Sequence, residues 1–304
     1  MANRIHALLR LTRFQEYAAF VVITTLLGAA AGQGSPGAPL LGVLVANWLA
    51  VGFAFMLNDV EDAPDDALTP NKAQRNPVSS GDLSPHSARL ASFTCAALAA
   101  ILYASLGLGP FVTGLACLVL GYLYSSRRVR LKATPVADLA SHALLLAGLQ
   151  FLAAYLTFGG GALPRWASPL AFIMAISLYG QLFNQLRDYD GDLKAGVNHT
   201  ASLLGRRAAH ALMMLWLLIG VAAAAVSIFI VQLIPVWVIL ATAALAGLLS
   251  WRRFSSVRHA QSAIEWQRPF QKPVEIAGAI ALLAWFAGPW APWLISRLSI
   301  ASPW

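Results

Sequence analysis

The sequence predicts an all-α integral membrane protein: about nine transmembrane helices, arranged as two four-helix halves plus one around a central cavity. Three observations predict it. The chain is 58% hydrophobic and only 11% charged, with a mean hydropathy of +0.65, which is too apolar for an ordinary soluble domain. A membrane-spanning helix needs roughly 20 predominantly apolar residues, and nine segments qualify. Nineteen of the 21 Lys and Arg residues fall on alternate connections, the bias that the positive-inside rule produces.

Taken in order, the first span covers 15–33 and follows a leader carrying Arg4, Arg10 and Arg13. Its end, Gly28 to Gly32, resembles a signal-peptide cleavage site, but Glu16 and the long leader argue for a retained span. A short outer turn, Gly34 to Gly37, leads to the second span, 38–62. A long polar inner connection, 63–86, carries Lys72 and Arg75, with Arg89 beyond it. The third and fourth spans, 87–107 and 109–125, join through Gly107 to Pro110. Arg127, Arg128, Arg130 and Lys132 then precede the fifth span, 136–158. Arg165 lies on the outer side before the sixth, 168–190. Lys194, Arg206 and Arg207 mark the inner loop 191–204 and the start of the seventh span, 205–230. The eighth, 233–251, is followed by Arg252 to Lys272, where Trp251, Phe254, Trp266 and Phe270 mix with arginines as in an interfacial segment. The ninth span is 272–297, with Arg297 outside.

This charge pattern puts the N-terminus and the even-numbered connections in the cytoplasm, the expectation being a multi-pass protein of the cell inner membrane with cytoplasmic active-site loops. It also explains the net charge of +8 without nucleic acid. Cys95 and Cys117 lie in apolar runs, so neither a disulfide framework nor metal-ligand spacing is present. Each half places an acidic cluster at the inner end of its second helix. The expectation is a single domain over 1–304 with pseudo-repeat halves of roughly 1–130 and 131–255, and the helix 272–297 closing the ring.

Eight of the 13 acidic residues stand in two clusters, Asn58 to Asp66 and Arg187 to Asp192. Acids at membrane depth are costly and mark function. Asn58 and Asp62 share a helix face, and Asp66 continues it if the helix survives Pro64, which removes a backbone donor. The third ligand is therefore Asp65 or Asp66. Asn47, about three turns earlier, faces the same way. Gln181, Gln185, Asp188 and Asp192, with Asn184 beside them, form a polar stripe that should face a cavity. An oxygen-only ligand set suits a hard cation such as Mg2+, and no His or Cys cluster supports zinc. Adjacent Lys72, Arg75, Lys132, Arg187 and Lys194 suit a polyanionic substrate.

At these residues the chain resembles the UbiA superfamily of intramembrane prenyltransferases. Asn58, Asp62 and Asp66 match its first motif, Asn-x-x-x-Asp-x-x-x-Asp. Asn71, Lys72, Arg75, Asn76, Pro77, Gly81 and Ser84 resemble the loop that follows. Asp188 and Asp192 match the second motif, continued by Lys194, Gly196 and Thr200, and Tyr124 and Lys132 resemble the segment before the fifth helix. The likeness covers nearly the whole chain. Pro64 inside the first motif, and Asn198 where members often keep a basic residue, depart from the pattern.

The resemblance implies a Mg2+-dependent prenyltransferase. Two Mg2+ ions would bridge Asn58, Asp62, Asp66, Asp188 and Asp192 to the diphosphate of a prenyl diphosphate donor, with Asp62, Asp66, Asp188 and Asp192 as the catalytic carboxylates. Lys72, Arg75, Lys132 and Lys194 would contact the diphosphate, although Arg75 and Lys194 also read as ordinary inner-face charges. Arg13 and Asn47 would line the acceptor end, and Tyr124, ahead of Tyr122, Phe53, Phe55 and Tyr179, would face a developing cation. Asp138 and His142, four apart, read as an acid–base pair or, more plainly, as a helix-end charge and a satisfied core histidine. His199, beside the second motif, has no assigned role. The lipophilic acceptor would be a quinone-precursor aromatic ring, with a lipid or pigment as other choices. No protein partner can be inferred. An ion-coupled transporter and a terpene-cyclising family member are the alternatives; the transporter predicts broken helices with acids near the midplane.

Overall fold

The computed structural model describes residues 2–159, 162–194, 196–254 and 263–288. Among them, nine helices are long and apolar enough to cross a membrane. The leader is itself helical: α1 (Ala2–Thr12) packs Ala7 and Leu11 against Val60 and Ala63 near the C-terminal end of α3. The chain turns at Arg13, in the left-handed region at φ 48°, into α2 (Phe14–Ala31). There follow α3 (Ala38–Asp66), the short α4 (Pro70–Arg75), α5 (Pro85–Leu106) and α6 (Leu108–Ser125). Next come α7 (Ala137–Thr157), which contains a π turn at Leu144–Gly148, and α8 (Leu163–Lys194). The short α9 (Thr200–Leu204), α10 (Arg206–Ile230), α11 (Val236–Ser250) and α12 (Ala263–Ala287) complete the described chain.

Helix length positions the acids. At about 1.5 Å per residue, roughly 20 residues fill the hydrocarbon core. Of the nine spanning helices, α3 with 29 residues and α8 with 32 are the longest. Their surplus lies at their C-terminal ends, which carry both acidic clusters. The carboxylates therefore stand at the edge of the hydrocarbon, where their solvation cost is reduced.

Small residues let the helices approach. A Cβ on Gly28 of α2 would stand 2.3 Å from the Phe151 carbonyl oxygen of α7, the close backbone contact that membrane bundles favour. A buried polar knot ties four helices at mid-depth. Asn47 Nδ2 donates to Thr25 Oγ1 (2.8 Å) and to the Gln150 carbonyl (3.3 Å), and Tyr103 Oη donates to Asn47 Oδ1 (2.6 Å). α12 closes the ring by packing on α2 and α11.

The observed spans match the expected ones within a few residues except at the last helix. It begins at Ala263 rather than 272 and holds Pro269 and Pro273 inside, so the interfacial sequence is largely its first turns. The Trp266 and Phe270 rings pack there with centroids 5.2 Å apart, tilted by 48°. The expected stretch 289–297 lies outside the described residues.

Gly28→Ala should lower stability by about 1–3 kcal/mol, because the obstacle is backbone. Gly247→Ala, whose Cβ would meet nothing within 4 Å, should be neutral or stabilising by up to about 1 kcal/mol. Thermal unfolding of both variants in lipid nanodiscs checks the contrast.

Candidate active site

α3 runs through Pro64 to Asp66, so Asn58, Asp62 and Asp66 recur along one face. Lys132, carried by the turn after α6, donates to Asn58 Oδ1 (2.7 Å) and Asp62 Oδ2 (2.5 Å). Burial holds its ammonium below the ordinary lysine range, while Asp62 pulls the other way. Asp66 is 8% exposed and accepts from Asn76 Nδ2 (2.9 Å), whose amide also donates to the Asp59 carbonyl (2.8 Å). Asp65 points away, held by Arg127 (3.1 Å) and Arg130 (2.8 Å). Of the two choices for the third position, Asp66 is thus the one that continues the motif face.

Behind this face, Asp59 is fully buried. Its Oδ1 accepts from Arg13 (3.2 Å), and its Oδ2 has no partner. Arg13 also grips Glu16 through two bonds (2.8 and 2.5 Å) and lies over the Phe55 ring at 4.9 Å. Burial opposes its charge, but the bonds from Glu16 and Asp59 outweigh that and raise its pKa.

The second motif sits at the end of α8. Asp188 pairs with Arg187 (2.7 Å), and Asp192 Oδ2 lies 3.2 Å from His199 Nε2. His199 Nδ1 accepts from the Ser202 backbone (3.0 Å) and so caps α9. Asp190 turns outward to Arg206. The Lys194 side chain lies outside the described residues.

Asp138 anchors this loop. It is fully buried and accepts from Gln185 Nε2 (2.6 Å), the Thr200 backbone (2.8 Å), the Leu139 backbone (2.8 Å) and the Thr200 hydroxyl. Thr200 Oγ1 also accepts from the backbone of Val136 (2.8 Å), a β-branched residue held at φ 69°. Asp138 is therefore a structural anion and not the partner of His142. The expected polar stripe divides accordingly. Gln181, Asn184 and Asp188 line the cavity, whereas Gln185 is buried in the Asp138 latch, where its Oε1 accepts from the Ala201 backbone (3.0 Å).

Asn58 of the first motif and Asp188 of the second line one cavity of about 1210 Å³, whereas Asp62, Asp66 and Asp192 are not among its lining residues. Of the expected site residues, Arg13, Asn58, Lys72, Arg75, Tyr124 and Asp188 line it. Asp62 and Lys132 stand directly behind Asn58. Asn47 is held inside the knot described above, and its bonds turn it to Thr25, Tyr103 and the Gln150 carbonyl. Among the described residues Lys72 and Arg75 have no carboxylate partner. Of the aromatics, Phe55, Tyr124 and Tyr179 line the cavity, Phe53 is buried in the core against Phe93, and Tyr122 is exposed. His142 is not a satisfied core histidine: it lines the cavity beside Tyr124. No three His, Cys, Asp or Glu side chains among the described residues converge into a ready-made metal cage.

Residues 21–270 match the sequence model of the UbiA prenyltransferase family. The chain belongs to this family. It is 30% identical over 167 residues to the digeranylgeranylglyceryl phosphate synthase of Sulfolobus acidocaldarius, a match covering 55% of this chain and 58% of the relative. It is 32% identical over 138 residues to the chloroplastic 2-acylphloroglucinol 4-prenyltransferase of Humulus lupulus, covering 43% and 34%. The matches thus span less than two thirds of these relatives' lengths. The fold is similar to that of a UbiA homolog from Archaeoglobus fulgidus bound to GPP and Mg2+, with TM-score 0.67, 21% identity, and 91% and 99% of the two chains covered. It is also similar to the apo form of a UbiA homolog from Aeropyrum pernix K1, with TM-score 0.65, 18% identity, and 88% and 96% covered.

In this UbiA-family protein, sequence reasoning missed the Asp138 latch and the grip of His199 on Asp192. The His199-x-x-Ser202 capping pattern was a signal for the second. Thr200→Val keeps shape but strips a hydroxyl from a buried carboxylate and leaves the Val136 N–H unpaired. It should cost about 1.5–3 kcal/mol, measured as a lowered unfolding midpoint in nanodiscs.

Proposed function

We propose that this integral membrane protein is a prenyltransferase that moves an isoprenyl chain from a prenyl diphosphate to a lipophilic acceptor. The observation that carries the proposal is that Asn58 of the α3 cluster and Asp188 of the α8 cluster line one cavity, with cations on its rim and apolar walls beyond. Membership of the UbiA family and the likeness to a homolog bound to GPP and Mg2+ support it. α3 and α8 run unbroken, which disfavours the carrier alternative.

The donor set fits Mg2+. It is all oxygen, and it is sparse, as expected for an ion that takes few carboxylates and draws its other ligands from water and substrate phosphate. Asn58, Asp62 and Asp66 on one side and Asp188 and Asp192 on the other would hold it, as two ions. Bound there, Mg2+ would neutralise charge on the leaving diphosphate.

The chain's own residues do the rest. Lys72 and Arg75, on α4 over the mouth, meet the diphosphate as unpaired cations. Lys132 couples Asn58 to Asp62 and keeps both oriented. As the C1–O bond breaks, the leaving diphosphate keeps the electron pair and Tyr124 offers its ring to the allylic carbon. Phe20, Phe55, Leu145 and Ile176 keep water from that carbon until the acceptor attacks. The acceptor then loses a proton. The charge bias supports a cytoplasmic active-site mouth in an inner membrane; the proposed acceptor is a lipophilic molecule, a quinone-precursor ring being the choice the family resemblance favours.

The test is diphosphate release from labelled prenyl diphosphates by purified protein in nanodiscs. Release should require Mg2+ and fall by at least about 100-fold in Asp62→Ala and in Asp188→Ala, as loss of electrostatic stabilisation of a leaving group predicts. Absence of release by folded wild-type protein with any donor would refute the assignment.

A further inference from the structure

One group of polar side chains in the cavity has hydrogen-bonding atoms that the diphosphate chemistry leaves unused. Tyr124 on α6, His142 on α7 and Gln181 on α8 meet among Leu145, Leu146 and Ile176. Gln181 Nε2 donates to Tyr124 Oη at 3.4 Å, and the His142 and Tyr124 ring centres are 6.3 Å apart. Ser177, one turn before Gln181 on the same face of α8, also lines the cavity.

What distinguishes this group is unused hydrogen-bonding capacity. Among the described residues, the other buried side-chain atoms without a partner, Asp59 Oδ2, Gln150 Oε1 and Arg165 Nε, belong to residues that do not line the cavity, and most remaining polar side chains in the spans are satisfied within the protein. Asn47 and Asp138 are fully engaged, and the hydroxyls of Thr24, Ser92, Thr113, Ser141 and Thr242 each donate to the carbonyl four residues back. Ser177 makes no such bond. It is 4% exposed, and its Oγ has no partner. Neither ring nitrogen of His142 is bonded among the described residues, and the Tyr124 hydroxyl proton is unspent. An unpaired buried polar group costs about 1–3 kcal/mol and calls for an explanation. One such group, on the same stretch of cavity wall as the open hydrogen-bonding capacity of His142 and Tyr124, points to a ligand that completes them.

The charge around this stretch says which ligand. Tyr124, His142, Ser177 and Gln181 offer neutral dipoles. The cavity's cations lie elsewhere: Lys72, Arg75, Arg187 and Arg268 are exposed, and Arg13 is already bound to Glu16 and Asp59. A carboxylate or phosphate set against Leu145 and Ile176 would be desolvated without a counter-charge, which is strongly unfavourable. A hydroxyl or carbonyl would find both donors and acceptors.

We propose that this patch receives the acceptor, and that the acceptor presents a neutral oxygen, hydroxyl or carbonyl, rather than an anionic group. The inference rests on the prenyl-transfer reading above and narrows its substrate class.

The experiment uses the full chain in nanodiscs with Mg2+ and C10 to C20 prenyl diphosphates. Three aromatic acceptors of matched size carry only hydroxyls, a carboxylate, or a phosphate, and prenylated product and released diphosphate are both quantified. The hydroxyl acceptor should be prenylated with kcat/KM at least about tenfold above the charged pair, the worth of one lost counter-charge or hydrogen bond. Ser177→Ala should raise the acceptor KM about 3- to 10-fold with kcat within about twofold. It should leave the unfolding midpoint unchanged or higher, since it removes no bond the protein makes. His142→Phe, which keeps a ring in place, should raise KM at least as much, and His142→Asn should restore part of it.

Preference for the charged acceptors overturns the proposal. So does an unchanged acceptor KM in Ser177→Ala and His142→Phe, or a lowered unfolding midpoint in Ser177→Ala with KM unmoved. Diphosphate release without transfer to the hydroxyl acceptor overturns the subsite alone. No release and no transfer by wild type overturns the prenyl-transfer reading and this proposal with it.

Discussion

A carboxylate at the edge of hydrocarbon is stable only when something answers its charge. All eight acids of the two clusters are answered in this protein. Lys132 answers Asp62 and Arg13 answers Asp59, Asn76 holds Asp66, and His199 faces Asp192. Asp65, Glu61, Asp188 and Asp190 are held by arginines. These contacts also fix the loops: Lys132 ties the α6–α7 turn to α3, and Asn76 ties the α4 loop to the end of α3. Removing one partner would strand a charge and release a segment together.

The same arrangement separates two kinds of polar environment. At the inner edge, opposite charges are paired, and Lys72 and Arg75 stay unpaired at the mouth. Farther in, charge disappears and only dipoles remain, at Tyr124, His142, Ser177 and Gln181. That gradient suits a reaction whose charged leaving group departs toward water while the growing apolar product stays against lipid. It also separates site from scaffold. The Asn47 knot and the Asp138 latch are polar but saturated, and a saturated group has nothing to offer a substrate.

Much of this was legible in the sequence because the bilayer is a strict solvent. Length and apolarity located the spans. The four-residue spacing of Asn58, Asp62 and Asp66 predicted the shared face, which α3 keeps despite Pro64. Three things were less legible. α12 starts nine residues early because Arg and Trp at an interface are compatible with helix, so hydropathy alone misplaces the boundary. Gln185 and Asn184 exchanged places because a one-residue rotation of about 100° decides which faces the cavity. Asn47, Asp138 and His142 are each a polar residue within a largely apolar span. Only tertiary partners decide which of these is saturated, and those partners are 22, 62 and more residues away in the chain.

The central claim is that the ends of α3 and α8 form one site. Its most direct test is the affinity for an unreactive prenyl thiodiphosphate, measured by calorimetry in nanodiscs with and without Mg2+ for wild type, Asp62→Ala, Asp188→Ala and the double variant. One shared site predicts Mg2+-dependent binding that either substitution weakens severely, with the double variant little worse than the singles because neighbours acting on one ligand are not additive. Binding that is independent of Mg2+, or losses that simply add as for separate sites, would contradict the account.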